Sequence, residues 1–395
     1  MKKLIAALLS LMLLAGMFAA GEEDLQSKYS ALVSETLRTL CRVGTEELNK
    51  WGSGNYVIRD SAAWNTLIRY DSGWFGKLSR SEFKDFVSDN YVRTGEKNFE
   101  CDVWGTYKVI YQSRKLTREF TLGYHLVFEN ISKNAKKEEY KLKSFSNLPV
   151  EAEAETARVR SEDDEGIEVS CITGSSYRGY VVTIEDPARV SVGVIDTIGS
   201  GDGWRIDQIS NKYNALIAIN GGAFSDSSKN KSNSGKAEGY VVSEGTAKNG
   251  NNPRADYCKI VMGFDADNVL HVGTFTNDQL KKMQLRDALS FNQAFVQDGK
   301  RVNQPKNSSY SARTGIGQDA EGRVYFVVIQ GRQPDSLGAC FDDMADIFVS
   351  LGCVNAGNLD GGNSTALLCR KQDKKNMRLA IKRGAKIVDI MAFTE

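Results

Sequence analysis

The sequence predicts an α+β protein made of two unlike domains behind an export signal. Three observations carry this. Helical periodicity is confined to a few segments, whereas strand-like apolar runs bounded by turn dipeptides recur through most of the chain. An acidic stretch near residues 150–168, almost without large apolar residues, interrupts the pattern. Composition then shifts: 25 of the 36 glycines lie in residues 171–395, while four of the five tryptophans lie before the acidic stretch. With 395 residues, 41% hydrophobic and 26% charged, the chain is long enough for two or three ordinary cores.

The N-terminus reads as an address. Lys2 and Lys3, the apolar run from Leu4 to Ala15, and the small Ala19 and Ala20 before Glu22 have the three-part design of a secretory signal over residues 1–20. The run is short for a bilayer span and no second run of twenty apolar residues follows. The expectation is an exported protein (periplasmic, cell-surface or secreted) with no integral membrane span after cleavage.

Residues 24–148 are expected to form a small α+β domain. Leu32, Val33, Leu37, Leu40, Cys41 and Leu48 recur at helical spacing. A second helix is expected over Ser79–Tyr91, opened by the Ser79-x-x-Glu82 capping signature. Strand-like runs follow at Thr106–Tyr111, Phe120–Phe128 and Tyr140–Phe145, and helices followed by such a meander suit an NTF2-like module. Residues 149–168, with eight acidic and two basic side chains, read as a solvated linker.

Residues 169–395 are expected to hold a mixed β-sheet with covering helices and glycine-rich loops at strand ends. Tyr180–Ile184 and Val190–Ile198 read as strands around the Asp186-Pro187 turn, and Asp267-Asn268, Asp298-Gly299 and Glu321-Gly322 as further turns between strands. Helices are expected near Trp204–Asn214 and over Cys340–Leu351, the latter with Asp342 and Asp343 in its first turn and Gly352 as its stop.

Charge and motif content exclude several chemistries. Lys plus Arg total 51 against 50 for Asp plus Glu, so bulk charge gives no hold on nucleic acid or an anionic membrane. Only two histidines occur, His125 and His271, which leaves acid–base work to carboxylates and argues against a multi-histidine metal site. Seven cysteines occur without a CxxC pair. Gly199-x-Gly201-x-Gly203 lacks the third glycine of a dinucleotide loop, since Trp204 holds that place. Asp265-x-Asp267 lacks the glycine and glutamate of a calcium loop and reads as a hairpin turn. No organic cofactor is indicated; a divalent cation such as calcium stays open.

Three places share one design, an apolar strand running into a polar residue beside glycine. Ala215–Ile219 leads into Asn220-Gly221-Gly222, Val324–Ile329 into Gln330-Gly331-Arg332, and Ala356–Leu359 into Asp360-Gly361-Gly362-Asn363-Ser364-Thr365. Glycine there lets backbone N–H groups approach a ligand, and strand ends on one rim are where ligands of open sheets collect. Arg313-Thr314 adds a fixed cation and a hydroxyl suited to phosphate. Each feature has a purely structural reading: Asn-Gly and Asp-Gly are turn dipeptides, and a single arginine is commonly a surface or paired residue.

At these loops the second domain resembles the phosphodiester glycosidase family, which includes the lysosomal-pathway uncovering enzyme and exported bacterial proteins often labelled exopolysaccharide-related. The resemblance covers about residues 166–395. It rests on the order of Gly179-Tyr180 with Asp186-Pro187, Ala218-Ile219-Asn220-Gly221-Gly222, Arg313-Thr314-Gly315-Ile316-Gly317, Gly331-Arg332-Gln333-Pro334 with Ser336-Leu337-Gly338, and Asn358-Leu359-Asp360-Gly361-Gly362-Asn363-Ser364. It implies hydrolysis of glycan or sugar-phosphate diesters between the anomeric carbon and phosphate. Asp360 would be the main carboxylate and Arg313 the phosphate clamp. Asn220, Gly221, Gly222, Thr314, Arg332, Ser336, Gly361, Gly362, Asn363, Ser364 and Thr365 would bind substrate, the glycines through backbone N–H groups. Gln330 stands where the family usually has aspartate, and an amide cannot exchange a proton near neutral pH. A catalytically silent glycan-phosphate binder is therefore the alternative. Ala312 and Asn363 depart more mildly from the family's proline and its glycine or serine.

Overall fold

The computed structural model describes residues 24–40, 56–58, 61–63, 78–111, 117–134, 136–148, 166–174, 176–225, 234–249, 260–305, 308–333, 336–370, 377–381 and 389–393. The expected signal, residues 149–165 of the expected linker, and Pro334-Asp335 lie outside the described residues. The described residues group into two compact units that divide after Phe145.

The first unit holds a helix, α1 (Leu25–Leu40), and a sheet in the order β1 (Leu78–Arg93), β2 (Asn98–Tyr111), β3 (Thr117–Asn130), β4 (Tyr140–Leu148). Tyr29, Val33 and Leu37, four residues apart on α1, are buried. Tyr29 stacks on Phe99 (centroids 4.3 Å) and Phe99 on Phe128 (4.8 Å), so these aromatics are core. The expected helix over Ser79–Tyr91 is instead β1. Phe83, Phe86, Val87 and Tyr91 mimic helical spacing because pairing with β2 slips between Lys84 and Val87 and between Asp89 and Val92, where Asp85 and Asn90 take φ of 52° and 54°. Each bulge inserts a residue and breaks the period of two.

The second unit contains, in chain order, β5 (Ile167–Thr173), β6 (Arg178–Ile184), β7 (Val190–Val194), β8 (Ile217–Asn220), β9 (Val241–Ser243), β10 (Thr246–Asn249), β11 (Ile260–Phe264) and β12 (Leu270–Gly273). Then come β13 (Asp287–Phe291), β14 (Ala294–Gln297), β15 (Lys300–Arg301), β16 (Arg313–Asp319), β17 (Val324–Ile329), β18 (Cys353–Asn358), β19 (Leu367–Arg370), β20 (Met377–Ile381) and β21 (Asp389–Phe393). Helices α2 (Ile206–Lys212), α3 (Asn277–Met283) and α4 (Phe341–Ser350) pack among them. Ile167 and Glu168, assigned to the linker from sequence, open β5.

The strands form a seven-stranded sheet, β15-β14-β18-β16-β17-β6-β5, and two five-stranded sheets, β10-β9-β13-β11-β12 and β20-β19-β8-β21-β7. Inner faces of all three share one apolar core, to which Val182, Val192, Ile219, Met262, Leu289, Ile316, Phe326 and Leu367 contribute. β17 is apolar throughout because both its faces are covered: Val324, Phe326 and Val328 enter that core, and Tyr325, Val327 and Ile329 enter a second cluster that includes Met344 and Phe348 of α4. Gly315 and Gly317 in β16 let Phe348 of α4 lie on bare backbone; a Cβ at either would fall 2.7–2.8 Å from its ring. Cys101, Cys340 and Cys353 are buried thiols. Among the described residues no helix is long and apolar enough to cross a membrane.

Candidate active site

The three strand–loop motifs do not share one sheet. β17 and β18 both run antiparallel to β16, so their C-terminal ends lie at one edge of the seven-stranded sheet, whereas β8 belongs to a five-stranded one. Asn220 joins the two sheets. Its buried side chain donates from Nδ2 to the Asp360 carbonyl (2.6 Å). Its Oδ1 accepts from the Thr314 hydroxyl (2.7 Å) and the Ala366 N–H (3.1 Å). The Asp360 N–H in turn donates to the Gly221 carbonyl (3.0 Å). Asn220 and Thr314 thus form a buried bracket that fixes the Asp360 backbone. Gly222 serves close approach, since a Cβ there would lie 2.8 Å from the Ser290 carbonyl at the end of β13.

Past the last register pair of β16 and β18, the Leu359 N–H donates to the Thr314 carbonyl (2.9 Å) and the Gly362 N–H to the Ala312 carbonyl (2.9 Å). Pairing slips by one residue between these two bonds, so Asp360 and Gly361 together lie across from Arg313. Asp360 is half-buried, and its Oδ1 accepts the Gly361 N–H (2.7 Å). Gly361 and Gly362, expected to offer backbone donors, therefore have their N–H groups engaged, the first by the Asp360 side chain within the loop and the second by the Ala312 carbonyl. The physical reason is the loop's tightness: Gly362 takes φ +60° and the Ser364 N–H closes back on the Gly361 carbonyl (3.1 Å). Asn363 is exposed at the tip; Ser364 and Thr365 are buried.

The Arg313 guanidinium lies 4.2 Å from the Phe341 ring centroid and donates to the carbonyls of Ala339 (Nε, 3.1 Å) and Ser309 (Nη2, 2.6 Å). Burial, with a contribution from the neighbouring charge of Arg332, lowers its pKa to about 10, leaving it a cation at neutral pH. Strand alternation puts Arg313 on the α4 side of the sheet and Thr314 on the other, so these two neighbours do not converge. Gly331 crosses the backbone of Ala312 so closely that a Cβ would fall 2.1 Å from the Ala312 nitrogen. That crossing brings the exposed Arg332, left-handed at φ 57°, to the Arg313 end of the sheet. Two cations therefore stand at one rim.

Gln330 continues β17. Its N–H donates to the Arg178 carbonyl (2.8 Å), and its carbonyl accepts the Ser336 hydroxyl (2.7 Å). The Ser336 oxygen also accepts the Arg178 N–H (3.0 Å). Buried Ser336 thus locks this turn rather than presenting a hydroxyl to solvent.

Asn292 is not marked by the sequence motifs, and Asn358 stands in one of them without an assigned role. Asn358, two residues before Asp360, is buried and donates from Nδ2 to Asn292 Oδ1 (3.0 Å), while its own Oδ1 has no hydrogen-bond partner. The available signal was a fourth strand running into polar residues, Asp287–Phe291 into Asn292-Gln293, without the glycine that marked the others. Among the described residues no three His, Cys, Asp or Glu side chains group as a metal set.

Residues 213–390 match the family model for the phosphodiester glycosidase domain, NAGPA. The chain is 33% identical over 82 residues to the SPbeta prophage-derived uncharacterized protein YomE of Bacillus subtilis (strain 168), a match covering 21% of this chain and only 12% of that protein. Among solved structures, the zebrafish N-acetylglucosamine-1-phosphodiester alpha-N-acetylglucosaminidase catalytic domain, auto-inhibited by its pro-peptide, is 20% identical at TM-score 0.45, over 58% of this chain and 82% of that one. A hypothetical protein from Synechocystis is 13% identical at TM-score 0.38, over 79% of this chain and 80% of that one. At such TM-scores the two structural likenesses carry no argument. The family match and the ordered motifs agree: the part of the chain that holds Asn220, Arg313, Gln330 and Asp360 is a domain of the phosphodiester glycosidase family.

Proposed function

We propose that the second unit hydrolyses glycan phosphodiesters, separating an anomeric carbon from phosphate, and that the protein is exported. The observation that carries the reading is Asp360, bracketed by Asn220 and lying with Gly361 across from Arg313 within the family domain. Arg313 and Arg332 hold the phosphate. Asp360 stabilises the oxocarbenium-like transition state and takes a proton from the attacking water. The water oxygen bonds to the anomeric carbon, the carbon–oxygen bond to phosphate breaks, and its electron pair leaves with the phosphate. A phosphate monoester leaves without a strong general acid. This agrees with the site's lack of histidine: His125 lies in the first unit, and His271 pairs with Asp265 (2.7 Å) at the β11–β12 hairpin.

Gln330 favours a second reading, a glycan-phosphate binder that does not cut. The test is release of sugar from an N-acetylglucosamine-1-phosphodiester by residues 21–395, with Asp360→Asn and Gln330→Asp alongside. Release abolished by Asp360→Asn supports the hydrolase. Activity appearing only in Gln330→Asp, with the native chain still binding the diester, supports the binder. Neither release nor binding refutes both. Export is tested by sequencing the N-terminus of protein recovered outside the cytoplasm, which should begin near Gly21.

A further inference from the structure

The open face of the first unit's sheet carries a group of side chains that the second unit's chemistry does not use. Trp104, 36% exposed, pairs across the strands with Val87 on one side and Gly123 on the other. Its six-membered ring lies on Gly123, where a Cβ would fall 2.3–2.9 Å from the ring carbons. One face of the indole is thus seated on backbone and the ring is held flat along the sheet. Val87 beside it is 67% exposed.

One row along the same face, Asp102 pairs with His125, whose Nδ1 lies 2.8 Å from Asp102 Oδ1 and whose Nε2 lies 3.3 Å from Glu100 Oε2. Asn90 Nδ2 donates to the other Asp102 oxygen (2.9 Å) and the Thr94 hydroxyl to the other Glu100 oxygen (3.0 Å). Both carboxylates are therefore held in place, and each oxygen keeps a further lone pair.

A flat aromatic surface beside fixed acceptors is complementary to a pyranose chain, whose C–H face stacks on an indole while its hydroxyls donate to carboxylates. The negative charge of Asp102 and Glu100 disfavours an anionic ligand. The geometry points to a binding face for a neutral, extended pyranose chain on the first unit. The choice of a glycan as occupant draws on the glycan chemistry proposed for the second unit; the face itself does not.

The test is calorimetric titration of residues 21–395 with chitopentaose and with cellopentaose, both neutral and free of phosphate, so the outcome does not depend on hydrolysis. Saturable binding of at least one is expected, weakened about tenfold or more by Trp104→Ala. Asp102→Asn should weaken it less and Trp104→Phe should largely retain it, which separates a lost platform from a misfolded sheet. Binding unaffected in Asp360→Asn would place it apart from the hydrolase site. Absence of saturable binding by both pentaoses, or binding that Trp104→Ala and Asp102→Asn leave unchanged, overturns the proposal.

Discussion

Replacing Asn220 by alanine tests the bracket under Asp360. Asn220 is fully buried and makes three hydrogen bonds, to the Asp360 carbonyl (2.6 Å), the Thr314 hydroxyl (2.7 Å) and the Ala366 N–H (3.1 Å). The hydroxyl can rotate to another acceptor, but the two backbone groups cannot follow. At about 1–3 kcal/mol for each buried group left unpaired, their loss comes to about 2–6 kcal/mol before relaxation. Asn220→Asp keeps both acceptor contacts but turns an oxygen toward the Asp360 carbonyl, and should be at least as damaging. Because the chain has two units, a single unfolding midpoint is ambiguous. Urea unfolding should therefore be read by hydrogen exchange in peptides covering residues 217–225 and 353–370, where protection should fall first. A variant within about 0.5 kcal/mol of the native protein would refute the bracket.

Other outcomes follow from the same geometry. Gly331→Ala should destabilise by more than about 2 kcal/mol in thermal melts, because the clash is with backbone that cannot swing aside. Arg332→Gly should relieve a left-handed backbone and raise stability by about 0.5–1 kcal/mol, yet weaken binding of a sugar phosphate in titrations. Burial raises the pKa of Asp319, but the Tyr325 hydroxyl, the Arg323 guanidinium and the Arg323 N–H outweigh it and hold the carboxyl below its ordinary range. Its stabilisation is thus fully present above the ordinary carboxylate pKa of about 4 and is lost as pH falls through the lowered value. Asp319→Asn should flatten that part of the acid-denaturation curve. Burial lowers the Arg313 pKa only to about 10, so about nine-tenths of it stays a cation at pH 9 and sugar-phosphate affinity should change little on this account between pH 7 and 9.

What could be read from the chain depended on how local the cause was. β17 is legible because burial on both faces demands an unbroken apolar run, and α4 because its stripe, acidic first turn and Gly352 lie within one segment. β1 was misread because its bulges shift apolar residues into helical spacing. Asn220 was legible as a polar residue at a strand end, but its partners lie 94 to 146 residues away, and no local pattern reports that. The engaged N–H group of Gly362, and the seating of Arg313 on Phe341, likewise depend on segments that meet only in the folded domain. Motif order over the whole domain carried what local pattern could not, namely the family.

The most direct test of the central claim is where water's oxygen ends up. Hydrolysis of an N-acetylglucosamine-1-phosphodiester should be run in oxygen-18 water, and both products examined by mass spectrometry. Attack at the anomeric carbon, assisted by Asp360, puts the label in the sugar and none in the phosphate monoester, and Asp360→Asn abolishes release. Label in the phosphate, or release undiminished by Asp360→Asn, would contradict the account.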